Sequence, residues 1–318
     1  MTKSLGPLVA AFVVWAGFTG CRNAPETAHL TAGLVAWMAV DSLNANLPPA
    51  VRVFHGENPD LPLAAWYVSV DLNAPNIAAR VAVSDDSDIR ETVSEFARDE
   101  GSCVAVNGGY FRMDDDPATH VGLLMTNGQV VSSAIGSVIR ENTRYPTARA
   151  TLGITEGGRA HIAWVNSRND STISWSEPPP NLPGDPATFP DLSHASPWPM
   201  RDALSAGPRL LKDGSIHITV DEEVFFGSSI PRVHPRTAAG ISADGRLILM
   251  VVDGRQRSSR GVDLEELARL LASTGAVDGI NLDGGGSSAL VVNGHLLNLP
   301  SGEAEREVMS SLLVSCGS

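Results

Sequence analysis

The chain predicts an α+β fold: a single domain with a hairpin-rich, largely antiparallel or mixed sheet and a few packing helices. Three observations carry this. Asn127-Gly128, Asp213-Gly214, Asp244-Gly245 and Asn293-Gly294 each lie between apolar or alternating runs, the pattern of a two-residue hairpin turn. Gly157-Gly158, between Leu152-Gly-Ile and His161-Ile-Ala-Trp-Val, is a fifth such signal. Only two segments within the hairpin-rich region carry helical punctuation. The 318 residues, 43% hydrophobic and 19% charged, suffice for an ample core in one large domain or two small ones.

From the N-terminus, Lys3 precedes an apolar run, Leu8 to Phe18, too short to span a bilayer but suited to a signal peptide. Phe18-Thr19-Gly20-Cys21 resembles a lipobox, so Cys21 is read as a lipid anchor; simple cleavage and release is the competing reading. Residues 1–20 are thus a signal peptide, and residues 21–60 a tether and lead-in, with a short helix expected over Thr31 to Leu43. A helix is expected from Asp88 to Glu100. It has Ile89, Val93, Phe96 and Ala97 on one face, Asp88/Glu91 as capping box and Gly101 as stop. The Pro-rich stretch Glu177 to Met200 reads as a long surface loop that either rims a site or is merely tolerated. Asp263 to Thr274 repeats the helical design, with Asp263/Glu266, a Leu264/Leu267/Leu271 stripe and Gly275.

The densest chemistry lies at Asn281-Leu-Asp283-Gly-Gly-Gly-Ser287-Ser288. An apolar run delivers one carboxylate onto three glycines and two hydroxyls, where backbone can approach a ligand closely. A Gly-rich turn with an incidental Asp is the bland reading. Gly284 to Ala289 matches the dinucleotide fingerprint formally, but that fingerprint must open a helix. Here Ala289-Leu-Val-Val-Asn293-Gly294 follows, which reads as strand and turn. A phosphate-binding P-loop is excluded because no Gly-Lys-Ser/Thr is present.

Several ordered blocks share this chain. They are Gly101-Ser-Cys103-Val-Ala-Val-Asn107-Gly108-Gly109-Tyr110-Phe111, Ser205-Ala-Gly207-Pro208, Arg236-Thr237-Ala-Ala-Gly240, Asp253-Gly254-Arg255-Gln256, Arg260-Gly261-Val-Asp263 and the Asp283 segment. Together, from about Ala64 to Cys316, they resemble the phosphodiester glycosidase family. The resemblance implies a catalytic domain over residues 61–318. It would hydrolyse the anomeric C–O bond of a sugar-1-phosphodiester, releasing free sugar and a phosphomonoester. Asp283, Asp253 and Asn107 are then the catalytic candidates. Arg236, Thr237, Gly108, Gly109, Gly284, Gly285, Gly286, Ser287 and Ser288 are the substrate-binding candidates. A guanidinium such as Arg236 can hold two phosphate oxygens at once. Asp253 and Asp283 each end an apolar strand-like run, which places both at a sheet end. Tyr110 and Phe111 read as core before stacking platform, and Tyr110 is the better stacking candidate of the two. The resemblance also implies a Cys103–Cys316 disulfide, although spacing alone leaves two buried free thiols open.

Net charge is −13, with only Lys3 and Lys212 as lysines and no basic run, which excludes nucleic acid as a partner. The expected partners are a carbohydrate phosphodiester and, through the lipid anchor, the membrane of an exported cell-envelope protein. None of the eight histidines has metal-ligand spacing. The implied reaction requires no cofactor. A divalent cation such as Ca²⁺ would suit Asp114-Asp115-Asp116, which otherwise reads as a solvated acidic loop. Two rival functions stay open: a metal-dependent phosphodiesterase breaking P–O, with Asp253 and Asp283 as ligands, and a non-catalytic envelope glycan-binding lipoprotein.

Overall fold

The computed structural model describes residues 1–2, 34–168, 171–188, 192–302 and 304–317. The signal-peptide and Cys21 expectations lie outside the described residues. Three larger antiparallel sheets dominate. The first runs in the spatial order 36–39, 51–58, 63–70, 247–252, 236–242, 276–281, 209–212 and 215–216. The second orders 196–197, 171–175, 160–168, 149–154, 202–205, 124–126 and 129–132. The third orders 295–296, 290–292, 104–107, 310–316 and 77–83. All five expected hairpins form. Asn127, Asp213 and Asn293 adopt φ of 50°, 50° and 48°, each followed by a glycine at 75–79°. Both central residues then have positive φ, the turn whose twist matches paired strands.

The main core lies between sheets, where Val68, Val106, Leu152, Trp164, Leu204, Leu249, Ile280 and Leu312 are buried together. The helix Leu264–Ser273 covers the other face of the first sheet, burying Leu264, Leu267, Ala268, Leu270 and Leu271 against Ala238, Ile248 and Met250. It sits close because Gly279 opposes it: a Cβ there would meet Leu271 Cδ2 at 2.5 Å. Its Asp263/Glu266 capping box forms as expected.

Two helical expectations are corrected. The helix expected from Asp88 spans only Val93–Asp99, with Thr92 and Glu95 as capping box. Asp88 instead accepts from the Arg90 amide, Ile89 has φ 58°, and Glu91 pairs with Val308. That pairing and the bonds from Arg90 to the Met113 and Asp115 carbonyls hold residues 88–91 out of the helix. Within Thr31 to Leu43, Thr31 to Gly33 lie outside the described residues. Ala36–Ala39 is a strand paired with 54–57, and the helical turn Asp41–Asn44 follows. Trp37 explains the difference: it packs edge-on to Tyr67, 4.8 Å between centroids, and lies over Gly56, where a Cβ would meet its ring at 2.8 Å. Ring burial against a neighbouring strand outweighs a weak helical preference.

Cys103 and Cys316 are bridged, joining the start of strand 104–107 to the end of strand 310–316. A disulfide fits an exported protein. Among the described residues no helix is long and apolar enough to cross a membrane.

Candidate active site

Antiparallel register assembles the site. Arg236 opens strand Arg236–Ser242, and Ala238 opposes Asn281 at the end of Ala276–Asn281. Arg236 also opposes Val252, the last residue of its strand. Arg236, Asp253 and Asp283 therefore leave the first sheet at the same end. The third sheet meets them there through Asn107, the last residue of strand Val104–Asn107.

Asn107 is wholly buried and its amide is fully engaged. Nδ2 donates to the Asp283 carbonyl at 2.7 Å, while Oδ1 accepts from Thr237 Oγ1 at 2.7 Å and from the Ala289 amide at 3.2 Å. Asn107 and Thr237 thus position the Asp283 loop and offer no free polar group to a ligand. The Gly108 amide donates to Ser310 and its carbonyl accepts from the Asp283 amide. Gly108 and Gly109 serve close packing: Cβ atoms would lie 2.3 Å from Ser310 Oγ and from the Ser205 carbonyl.

Asp283 lines a cleft of 120 Å³ with Tyr110, Ile230, His234, Arg236 and Arg255. Among the described residues it is the only carboxylate in that lining. Burial pushes its carboxyl up to about 6. The nearby Ser287 hydroxyl, the Gly284 amide (2.9 Å to Oδ1) and the Arg306 charge oppose that rise. Ser287 Oγ and Ser288 Oγ are buried with no well-formed hydrogen bond among the described residues. The Gly285 amide donates to the Pro235 carbonyl at 2.8 Å. Gly284 and Gly285 line the cleft, whereas Gly286 lies beneath Arg306.

Arg236 is 3% exposed. Nε donates to the Val262 carbonyl at 3.1 Å, and Nη2 to the carbonyls of Ile230, at 2.7 Å, and Arg232. Among the described residues no carboxylate pairs with it and Nη1 makes no hydrogen bond. A buried cation hydrogen-bonded only to carbonyls, with Asp263 acting on it without direct contact, favours an anion in the cleft. His234 Nε2 donates to the Ser229 carbonyl at 2.8 Å, so its Nδ1 accepts from Arg255 Nη2 at 3.2 Å. Burial and then the Arg236, Arg255 and Arg232 charges hold His234 below its ordinary value, hence neutral. Tyr110 accepts from Asn281 Nδ2 at 2.7 Å and donates to the Gly207 carbonyl at 2.8 Å, leaving its ring as cleft wall.

Asp253 stands beside the cleft and not in its lining. Its carboxylate accepts from the Leu299 amide at 2.9 Å, and burial pushes it up to about 6, opposed by Leu299 and Asn298. Among the described residues, none of the Pro-rich stretch lines the cleft. That stretch is pinned elsewhere, by buried Asn181 donating to the Pro146 and Glu222 carbonyls. Asp114 and Asp116 are exposed, Asp115 is tied to Thr119, and among the described residues no group of three His, Cys, Asp or Glu is placed to hold a metal. His234, two residues before Arg236, reads in sequence as a surface histidine, yet it lines the cleft; the sequence did not single out Arg306 and quoted Arg255 only within its block. Arg255 had a signal, a cation next to a strand-ending Asp; Arg306 had none.

Residues 100–315 match the family model described as phosphodiester glycosidase. Bovine N-acetylglucosamine-1-phosphodiester alpha-N-acetylglucosaminidase is 31% identical over 221 residues, 67% of this chain and 35% of that protein. The chain thus spans about a third of that curated relative's length. The zebrafish enzyme of the same name has a catalytic-domain structure that superposes with a TM-score of 0.60 at 22% identity, covering 88% of each chain. A hypothetical protein from Synechocystis superposes with a TM-score of 0.59 at 18% identity, over 86% of this chain and 65% of that one. At such identities the superpositions speak for the fold alone, and the matched blocks speak for the family. The chain belongs to the phosphodiester glycosidase family.

Proposed function

We propose that the protein hydrolyses the anomeric C–O bond of a sugar-1-phosphodiester, releasing free sugar and a phosphomonoester. The observation that supports this best is the presence, in one cleft, of a buried guanidinium with no directly bonded carboxylate among the described residues, Arg236, and a single carboxylate, Asp283. The cation suits the phosphate and the carboxylate suits the anomeric carbon. The departing phosphomonoester is a weakly basic leaving group, so a second carboxylate acting as general acid is dispensable. Ionised Asp283 stabilises positive charge developing at C1 and takes a proton from the attacking water. A bond forms from water oxygen to C1, and the C1–O electron pair stays on the phosphate, held by Arg236 Nη1. Asn107 keeps the Asp283 backbone in place, and the Tyr110 ring shields one side of the cleft. N-acetylglucosamine is the sugar to test first, because the curated relatives are named for it. We also propose that the protein is exported and held at the cell envelope through lipidated Cys21. Cys21→Ser should move it out of the membrane fraction with activity unchanged.

The deciding experiment is turnover of sugar-1-phosphodiesters in ¹⁸O water by protein lacking residues 1–20. Label in the sugar is expected. Label in the phosphate would replace the proposal with P–O cleavage, and binding without turnover would replace it with glycan recognition.

A further inference from the structure

Besides Arg236, two more guanidinium groups lie on the glycine loop: Arg255, in the cleft lining, and Arg306, outside it. A Cβ on Gly285 would sit 3.2 Å from Arg255 Nη2, and one on Gly286 would sit 2.3 Å from Arg306 Nη2. A side chain at Gly286 would push the Arg306 head aside, and one at Gly285 would crowd Arg255 by a few tenths of an ångström. In this acidic chain other arginines have carboxylate partners, among them Arg80 with Glu100, Arg260 with Glu266 and Arg269 with Glu265. Among the described residues neither Arg255 nor Arg306 forms an ion pair, although the Arg306 charge acts on Asp283. Among the described residues the one polar partner of the Arg255 side chain is His234, which is neutral and cancels no charge.

Both arginines are held in place. Arg255 has φ 60°, a conformation costly for a residue with a side chain and maintained only where the surroundings enforce it. Arg306 is carried by a loop fastened at both ends. Leu299 donates to Asp253 and accepts from Gln256 Nε2 at 2.7 Å, and the Glu305 carboxylate accepts from the Ser94 amide and hydroxyl at 3.0 and 2.6 Å. The 120 Å³ cleft is smaller than the roughly 300 Å³ at which pockets enclose a whole small ligand. It admits one part of a diester and leaves the remainder outside, and both Arg255 and Arg306 lie against the glycine loop that bounds it.

We infer that Arg255 and Arg306 form a second anion subsite, which selects sugar-1-phosphodiesters whose aglycone carries a further phosphate group. The inference rests on the hydrolysis proposed above. A net charge of −13 repels such substrates at long range. Paired guanidinium groups reverse that repulsion where the aglycone lies and bind phosphate oxygens through charge-assisted hydrogen bonds. The second phosphate can belong to a small aglycone or to the next unit of a repeating phosphodiester chain.

The test compares three esters of N-acetylglucosamine 1-phosphate: with methanol, with glycerol 3-phosphate, and with a glycerol phosphate dimer. At low salt kcat/KM should be about tenfold or more higher for the glycerol 3-phosphate ester than for the methyl ester. In the Arg255→Ala/Arg306→Ala protein that ratio should fall towards one, and Arg306→Lys should restore part of it. Further gain with the dimer identifies a repeating chain as the source; equal rates identify a small aglycone. A ratio near one in the wild type, or equal losses on the methyl and glycerol 3-phosphate esters in the variant, overturns the subsite. If the wild type cleaves none of the three, the hydrolysis proposal falls by itself. Titration with glycerol 1,3-bisphosphate against methyl phosphate then decides the subsite. Preferential binding lost in the double variant upholds it, and equal binding overturns it.

Discussion

Asn107 Nδ2 donates to the backbone carbonyl of Asp283 at 2.7 Å, a bond between residues 176 positions apart that joins the third sheet to the first. The same side chain accepts from Thr237 and Ala289, so one buried amide ties three segments behind the candidate catalytic carboxylate. Asn107→Asp keeps the acceptor oxygen and removes the donor. The Asp283 carbonyl then loses its partner, which costs roughly 1–3 kcal/mol. A lowered melting temperature and a fall in kcat at little-changed KM are expected. Thermal denaturation with steady-state kinetics checks this, and an unchanged kcat would remove Asn107 from any positioning role.

Asp283→Asn should lower kcat by about 10²-fold or more while leaving substrate binding in place, since electrostatic stabilisation of this kind is worth ~3 kcal/mol. With the Asp283 carboxyl raised to about 6, wild-type kcat should climb as pH rises through 6 and level off above it. The variant should show no such limb. Rates from pH 4.5 to 8 on both proteins make the comparison.

Asp253 tests whether the second strand-end carboxylate is chemical or structural. Its folded pKa is raised, from 3.8 to about 6. The associated stability is therefore complete below about 4 and is lost as pH rises to 6. Asn keeps an acceptor for the Leu299 amide and does not titrate. Asp253→Asn should raise stability at pH 7.5 by about 1–2 kcal/mol, with no gain at pH 4, and leave kcat within a few-fold. Denaturant melts at the two pH values measure this. A loss of kcat matching that of Asp283→Asn would make Asp253 a catalytic group.

Arg236→Lys keeps the charge but cannot donate to Val262, Ile230 and Arg232 together. Weaker binding of the phosphodiester, about tenfold or more in KM, is expected, with kcat less affected than in Asp283→Asn. Unchanged affinity would separate Arg236 from the phosphate.

The Cys103–Cys316 bridge spans 213 residues of sequence and fastens the end of the third sheet. Replacing both cysteines with serine should cost roughly 2–5 kcal/mol of stability. Thiol labelling of the unfolded, unreduced protein lacking residues 1–20 should find neither Cys103 nor Cys316 free.

What the sequence determined by itself was local. Asn127-Gly128 and Asn293-Gly294 specify hairpins because both turn positions need positive φ, and Asp263 with Glu266 specifies a helix start because the two satisfy each other's amides. The blocks around Asn107, Arg236, Asp253 and Asp283 were marked by their resemblance to the phosphodiester glycosidase family, and each lies where the chain enters or leaves a sheet. The tertiary structure alone decided which of those residues face one another. Antiparallel register put Arg236 beside Asp283, whereas the Leu299 amide took the carboxylate of Asp253. Strand pairing displaced two helical patterns, at Asp88 to Glu91 and at Ala36 to Ala39, because backbone pairing with distant segments outweighs local propensity. Arg306 was illegible in sequence for the plainest physical reason. Its proximity to Gly286 depends on a loop fastened by Asp253, Gln256 and Ser94, contacts spread over more than 200 positions that no local pattern encodes.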